Sequence, residues 1–138
     1  MSLTTLEKFL EDFNSIEEQE IKFQALIEIS DRFKEVPQEV ATRPFERSHL
    51  VPGCESEAYV FKKQSGTESP HFYFAVENPQ GISAKALAAI LTEHLNGSTS
   101  EEIKNLNPEI VYKIFGKSLS MGKGQGLMNM INFVKALA

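Results

Sequence analysis

Cys54 is the single cysteine of the chain and the side chain with the widest chemical range. It lies in Val51-Pro52-Gly53-Cys54-Glu55-Ser56-Glu57-Ala58-Tyr59-Val60. Pro-Gly is a turn signal, and the residues after Cys54 read as a strand. A thiol so placed has a bendable turn on one side and rigid structure on the other. The reactive form is the thiolate, and an unperturbed thiol, with a pKa of about 8.5, is only slightly ionised at neutral pH. Nearby carboxylates disfavour ionisation, but strand alternation points Glu55 and Glu57 mainly away from the thiol face. Arg47, His49 and Lys123 would favour it if the fold brings them close. A cysteine hydrolase needs a positioned histidine base, and no histidine or arginine stands at a telling spacing from Cys54. The residues fit a thiol activated by a docked partner. The plain alternative is a small buried hydrophobe with no chemistry.

Other chemistry is narrower. One cysteine forms no internal disulfide and builds no multi-thiolate zinc or iron–sulfur site by itself. His49, His71 and His94 are widely spaced and form no HxxxH or HExxH pattern, so no metal centre is expected. Gly122-Lys123-Gly124-Gln125-Gly126 is not a GxGxxG element, and Gly116-Lys117-Ser118 lacks the upstream glycine of a phosphate loop. The stretch reads as a flexible helix start that exposes Lys123 on a docking surface and offers amides to an anionic group. The run Glu17-Glu18-Gln19-Glu20 reads as a solvated helix start.

These residues need a scaffold, and 138 residues predict one domain spanning 1–138. The net charge of −5 disfavours nucleic-acid binding. No apolar run nears the roughly 18 residues that cross a bilayer, so no membrane association is expected. The first residues lack a signal-peptide layout, and a lone free thiol fits a reducing cytoplasm. Ten phenylalanines and no tryptophan predict a Phe-rich core.

Apolar spacing predicts a helix over 3–13 and a longer one opening at Ser15. Thr4 with Glu7 and Ser15 with Glu18 match capping boxes, and Pro37 is expected to end the second helix near Val36. Residues 37–48 read as an irregular connection. Strands are expected at 49–51, 55–62 and 71–77. A buried helix follows over 83–95, then a short one capped by Thr99 with Glu102. Asn107-Pro108 opens another helix reaching Gly116, and 122–126 open the last. The layout is α+β: a small antiparallel sheet of about three strands packed by N- and C-terminal helices.

The segment Gly53-Cys54-Glu55-Ser56-Glu57-Ala58-Tyr59 resembles the Gly-Cys-x-Ser-x-Val-Trp signature of SufE-type sulfur acceptor proteins. Leu95-Asn96-Gly97-Ser98-Thr99-Ser100-Glu101-Glu102-Ile103 is similar to that family's Leu-x-Gly-x-Thr-Pro-Glu-Glu-Ile, and Gly122–Met130 to its Ser-Arg-Ser-x-Gly-Leu-x-x-Met. The three blocks stand in the family's order and span most of the chain. The resemblance implies a SufE/IscU-like fold. It implies that Cys54 takes sulfane sulfur from the persulfide of a PLP-dependent, SufS-like cysteine desulfurase. The sulfur then passes to a SufBCD-like iron–sulfur scaffold. It implies a carrier and activator rather than a stand-alone enzyme, with no cofactor of its own. Gly53, Glu55, Ser56 and Lys123 become the expected partner-contact residues beside Cys54. The departures are Glu55 and Glu57 beside the cysteine, Tyr59 for tryptophan, Ala58 for valine and Lys123 for arginine. A second reading is an adaptor that binds a desulfurase or another sulfur-relay partner without carrying sulfur. A third, an independent thiol peroxidase, lacks the flanking base.

Overall fold

The computed structural model describes residues 3–66, 68–116 and 121–138, with side chains from Thr5 onward. Helix α1 (Leu3–Asn14) turns Leu6 and Phe13 into the core. It begins at Leu3, so Thr4 lies inside the helix and its match with Glu7 does not mark the start. Ser15 closes α1, its hydroxyl donating to the Asp12 carbonyl at 2.6 Å. That bond engages the hydroxyl expected to cap the next helix. Helix α2 (Gln19–Asp31) accordingly starts behind Glu18 without a side-chain cap.

Helix α2 stops at Asp31, well before Val36. The cause is tertiary. The Val36 N–H donates to the Phe74 carbonyl at 2.9 Å, and Val36 is buried. Residues 33–36 therefore leave the helix to cover strand β2, where a backbone bond and apolar burial replace continued helix. The connection that follows is tied down by Arg43, which bridges Glu35 and Glu77 and lies over the Phe45 ring.

Among the described residues the sheet has two strands rather than three. Strand β1 (Ala58–Lys63) pairs antiparallel with β2 (His71–Val76), from Ala58↔Val76 to Lys63↔His71. The strand expected at 49–51 reduces to one bridge, Leu50↔Tyr59, because Arg47–His49 form a 3-10 turn. Alternation sorts the side chains onto two buried faces. Ala58, Val60, Phe72, Phe74 and Val76 join the main core. Tyr59, Phe61 and Ala75 form a second cluster with Val36 and Phe45, whose ring lies 5.1 Å from that of Tyr59 and 5.3 Å from that of Phe61. This connection covers the outer face of the sheet and leaves β1 apolar on both sides.

Helix α3 (Ile82–Leu95) runs through the middle of the main core, and its Leu87, Ile90, Leu91 and Leu95 are fully buried. Its alanines Ala84, Ala86, Ala88 and Ala89 are buried too, which lets neighbouring elements approach closely. Helix α4 (Ser100–Lys104) opens with the expected capping box. The Thr99 hydroxyl accepts from the Glu102 N–H at 3.1 Å, and the Glu102 carboxylate accepts from the Thr99 N–H at 2.9 Å. Before α5 (Ile110–Phe115), Asn107 Oδ1 accepts from the Glu109 N–H at 3.0 Å, so the Asn-Pro pair starts a tight turn that leads into the helix. Helix α6 (Met121–Leu137) seats Leu127, Met130, Ile131 and Val134 in the core. Among the described residues no helix is long and apolar enough to cross a membrane.

Candidate functional site

Cys54 lies in the loop 52–57, whose neck is closed where the Val51 N–H donates to the Ala58 carbonyl at 2.8 Å. The expected strand from 55 is not formed. Cys54 to Glu57 is a turn, with the Glu57 N–H bonded to the Cys54 carbonyl at 3.1 Å, and β1 begins only at Ala58. Glu57 has a φ of 52° and Gly53 a φ of 71°. At Gly53 this left-handed backbone suits a residue without Cβ; at Glu57 it is unusual and sets the bend that carries the chain into β1.

The two limbs of the loop are fastened differently. On the C-terminal limb the Ser56 and Glu57 carbonyls accept from the Asn78 and Glu77 N–H groups at 3.1 and 3.2 Å, which extends the sheet pairing. The N-terminal limb lies on α6. Asn129 Nδ2 donates to the Pro52 carbonyl at 2.8 Å. Gly126 faces the same limb so closely that a Cβ there would come within 2.8 Å of the Gly53 carbonyl oxygen and 3.2 Å of the Cys54 Cα.

Cys54 is half-buried and packs on the main core. It borders a cavity of about 20 Å³ lined by Glu55, Ser56, Ser83, Ala84, Lys123 and Leu127, among others. Such a space admits about one small atom. Ser83 and Ala84 belong to the first turn of α3, and Gly122 and Lys123 to the first turn of α6. First-turn amides lack helical partners, and both helices turn the positive ends of their dipoles towards the cavity. Lys123 adds a cation and Glu55 an anion at the rim. Gly81 packs against the Ser56 side chain, where a Cβ would meet Ser56 Oγ at 2.7 Å.

The expected contact residues Gly53, Glu55, Ser56 and Lys123 thus gather at Cys54. Glu57 does not line the cavity. The turn, not a strand, fixes which side chains reach it, and it brings Glu55 and Ser56 there together. His49 does not line the cavity. Its Nδ1 lies 3.0 Å from the Val60 carbonyl and its ring is tilted against Phe61, centroids 4.7 Å apart. Arg47 does not line the cavity either. Among the described residues no His, Cys, Asp and Glu side chains group as a metal site. Lys117 and Ser118 lie outside the described residues.

The family model for SufE, the Fe-S metabolism associated domain, matches residues 7–138. The chain belongs to the SufE family. A SufE-like protein of Rhizobium meliloti (strain 1021) is 28% identical over 142 residues, covering 99% of this chain and 96% of its own. The cysteine desulfuration protein SufE of Wigglesworthia glossinidia brevipalpis is 24% identical over 132 residues, covering 94% of this chain and 87% of its own. The solution structure of a hypothetical protein from Thermus thermophilus superposes with a TM-score of 0.75 at 23% identity, covering 95% of this chain and 90% of the other. That likeness concerns the fold. Within the SufE frame, sequence reasoning missed Asn129, Gly126, Gly81, Ser83 and Ala84. The Gln125–Asn129 spacing, one helical turn, was the visible signal; nothing local marked that Gly126 would face Gly53.

Proposed function

We propose that Cys54 is the sulfur-accepting residue of a SufE-type carrier serving a PLP-dependent, SufS-like cysteine desulfurase. Its thiolate attacks the outer sulfur of the donor persulfide. A new S–S bond forms at Cys54 as the donor's S–S bond breaks, and the donor cysteine leaves as a thiolate. One thiolate is consumed and one released, so the step needs no oxidant or reductant. The carrier then yields the sulfur to a SufBCD-like iron–sulfur scaffold and stimulates the desulfurase by clearing its persulfide. The reading places this exchange in the cytoplasm, within a single domain.

The observation that carries the reading is the half-buried thiol beside a cavity with room for about one added atom. A persulfide held there is sheltered from stray thiols. The name of the Wigglesworthia relative, a cysteine desulfuration protein, supports the same role. Gly53, Glu55, Ser56 and Lys123 form the contact rim, and a carboxylate there matches a donor with a basic docking face. Lys123 offers a point charge rather than the planar fork of an arginine.

Intact-protein mass spectrometry after incubation with desulfurase and cysteine tests this. A gain of one sulfur on the wild type and none on Cys54→Ser is expected, together with loss of stimulation in the variant. If Cys54→Ser stimulates the desulfurase as well as the wild type does, the protein is an adaptor and the carrier role is wrong.

A further inference from the structure

The two limbs of the cysteine loop are not equally held, and the difference falls on one side chain. The C-terminal limb continues the sheet through backbone bonds from Glu77 and Asn78. The N-terminal limb rests on α6 through the bond from Asn129 Nδ2 to the Pro52 carbonyl. The amide of Asn129 is itself aimed. Its Oδ1 accepts from Gln125 Nε2 at 2.9 Å, one helical turn earlier, which leaves the NH₂ end facing the loop. The backbone of Gly53 and Cys54 then lies on the bare surface of Gly126.

We propose that Asn129 is a positioning residue, a latch that holds Cys54 against its cavity and sets how readily the thiol emerges. Breaking the Asn129 bond frees the limb 52–54, while the limb 56–57 stays on the sheet. Gln125 acts through Asn129 by fixing which end of the amide meets Pro52. The consequence for sulfur transfer rests on the sulfur-acceptor reading; the latch itself does not.

Alkylation of the native, full-length protein by iodoacetamide tests the latch without any desulfurase. Asn129→Asp is nearly isosteric, keeps an acceptor for Gln125 and removes the donor to Pro52; Asn129→Ala removes both. Each is expected to raise the Cys54 alkylation rate about twofold to tenfold, the population change that follows from one net hydrogen bond. Gln125→Ala should raise it less. The rise should be independent of urea below the unfolding transition, because a local opening exposes little surface. Wild-type rates in both Asn129 variants overturn the proposal. So does a rise that follows the urea dependence of global unfolding, which would make Asn129 an ordinary structural residue. With a desulfurase present, a released latch should lower the half-saturating carrier concentration and leave the saturating rate unchanged. If alkylation rises but no sulfur is ever accepted, the latch stands and the sulfur-acceptor reading falls.

Discussion

A methyl group on Gly126 would sit where the cysteine loop rests. It would lie 2.8 Å from the Gly53 carbonyl oxygen and 3.2 Å from the Cys54 Cα. Both neighbours are backbone, so no side-chain rotamer can relieve the clash. Helix α6 cannot withdraw easily, because Leu127, Met130, Ile131 and Val134 fix it in the core. Taken alone, glycine to alanine within a helix is favourable by up to about 1 kcal/mol, which would mask part of the effect. Gly122, one turn earlier on the same helix, supplies the control, since a Cβ there meets nothing within 4 Å. Gly122→Ala should gain helix propensity alone, whereas Gly126→Ala adds an overpacking cost of about 1–3 kcal/mol. The difference between the two variants isolates the contact. At about 3 °C per kcal/mol for a chain of this size, Gly126→Ala should melt about 3–10 °C below Gly122→Ala. Thermal unfolding by circular dichroism measures it, with Cys54 alkylation run in parallel to detect a displaced loop. Equal melting temperatures with unchanged alkylation would refute the close seating of the loop on α6.

His94 should set part of the pH dependence of stability. Burial beside Phe9 holds its pKa below the ordinary histidine value of 6.5; Glu93 opposes this and Arg32 adds to it. The unfolded chain therefore takes up the proton first, so stability should fall as pH drops below about 6.5. His94→Asn should flatten that fall, as read from urea midpoints at neutral and mildly acidic pH. Thr99→Ala removes the side-chain cap of α4 and should cost about 1 kcal/mol in urea unfolding; a change within error would mean the cap is redundant. Phe45→Ala opens the cluster over the outer face of the sheet. A cost of about 3–5 kcal/mol is expected, with loss of near-ultraviolet dichroism from the packed rings as its sign.

What the sequence reveals depends on how local the deciding interaction is. Thr99 and Glu102 satisfy each other within one turn, so their pattern predicts the cap correctly. Ser15 and Glu18 show the same pattern, yet Ser15 closes the preceding helix instead. Both uses are local hydroxyl bonds, and spacing alone does not choose between them. The end of α2 is not legible locally, because Val36 bonds to Phe74, a residue far along the chain. The alternation of β1 is legible from Ala58 onward, which sorts Val60 from Tyr59 and Phe61. It fails at Cys54–Glu57, where a turn replaces the pleat. The gathering of Glu55, Ser56 and Lys123 around Cys54 matches the family blocks. The seat beneath them does not announce itself, because a glycine facing a loop carries no local signature.

The closed neck of the cysteine loop limits how far Cys54 can travel. Val51 is bonded to Ala58, and Cys54 stands only three residues beyond Val51. A chain spans at most about 3.6 Å per residue, so even a fully released loop carries the Cys54 Cα no more than about 11 Å from that anchor. This is a short tether, unlike a swinging arm that bridges distant active sites. If Cys54 carries sulfur as proposed, a donor must bring its own reacting sulfur to this face, and a recipient must later come to the same face. On that reading delivery is sequential: the donor departs before the recipient arrives. Such a carrier would depend on the exchange of partners rather than on the reach of an arm.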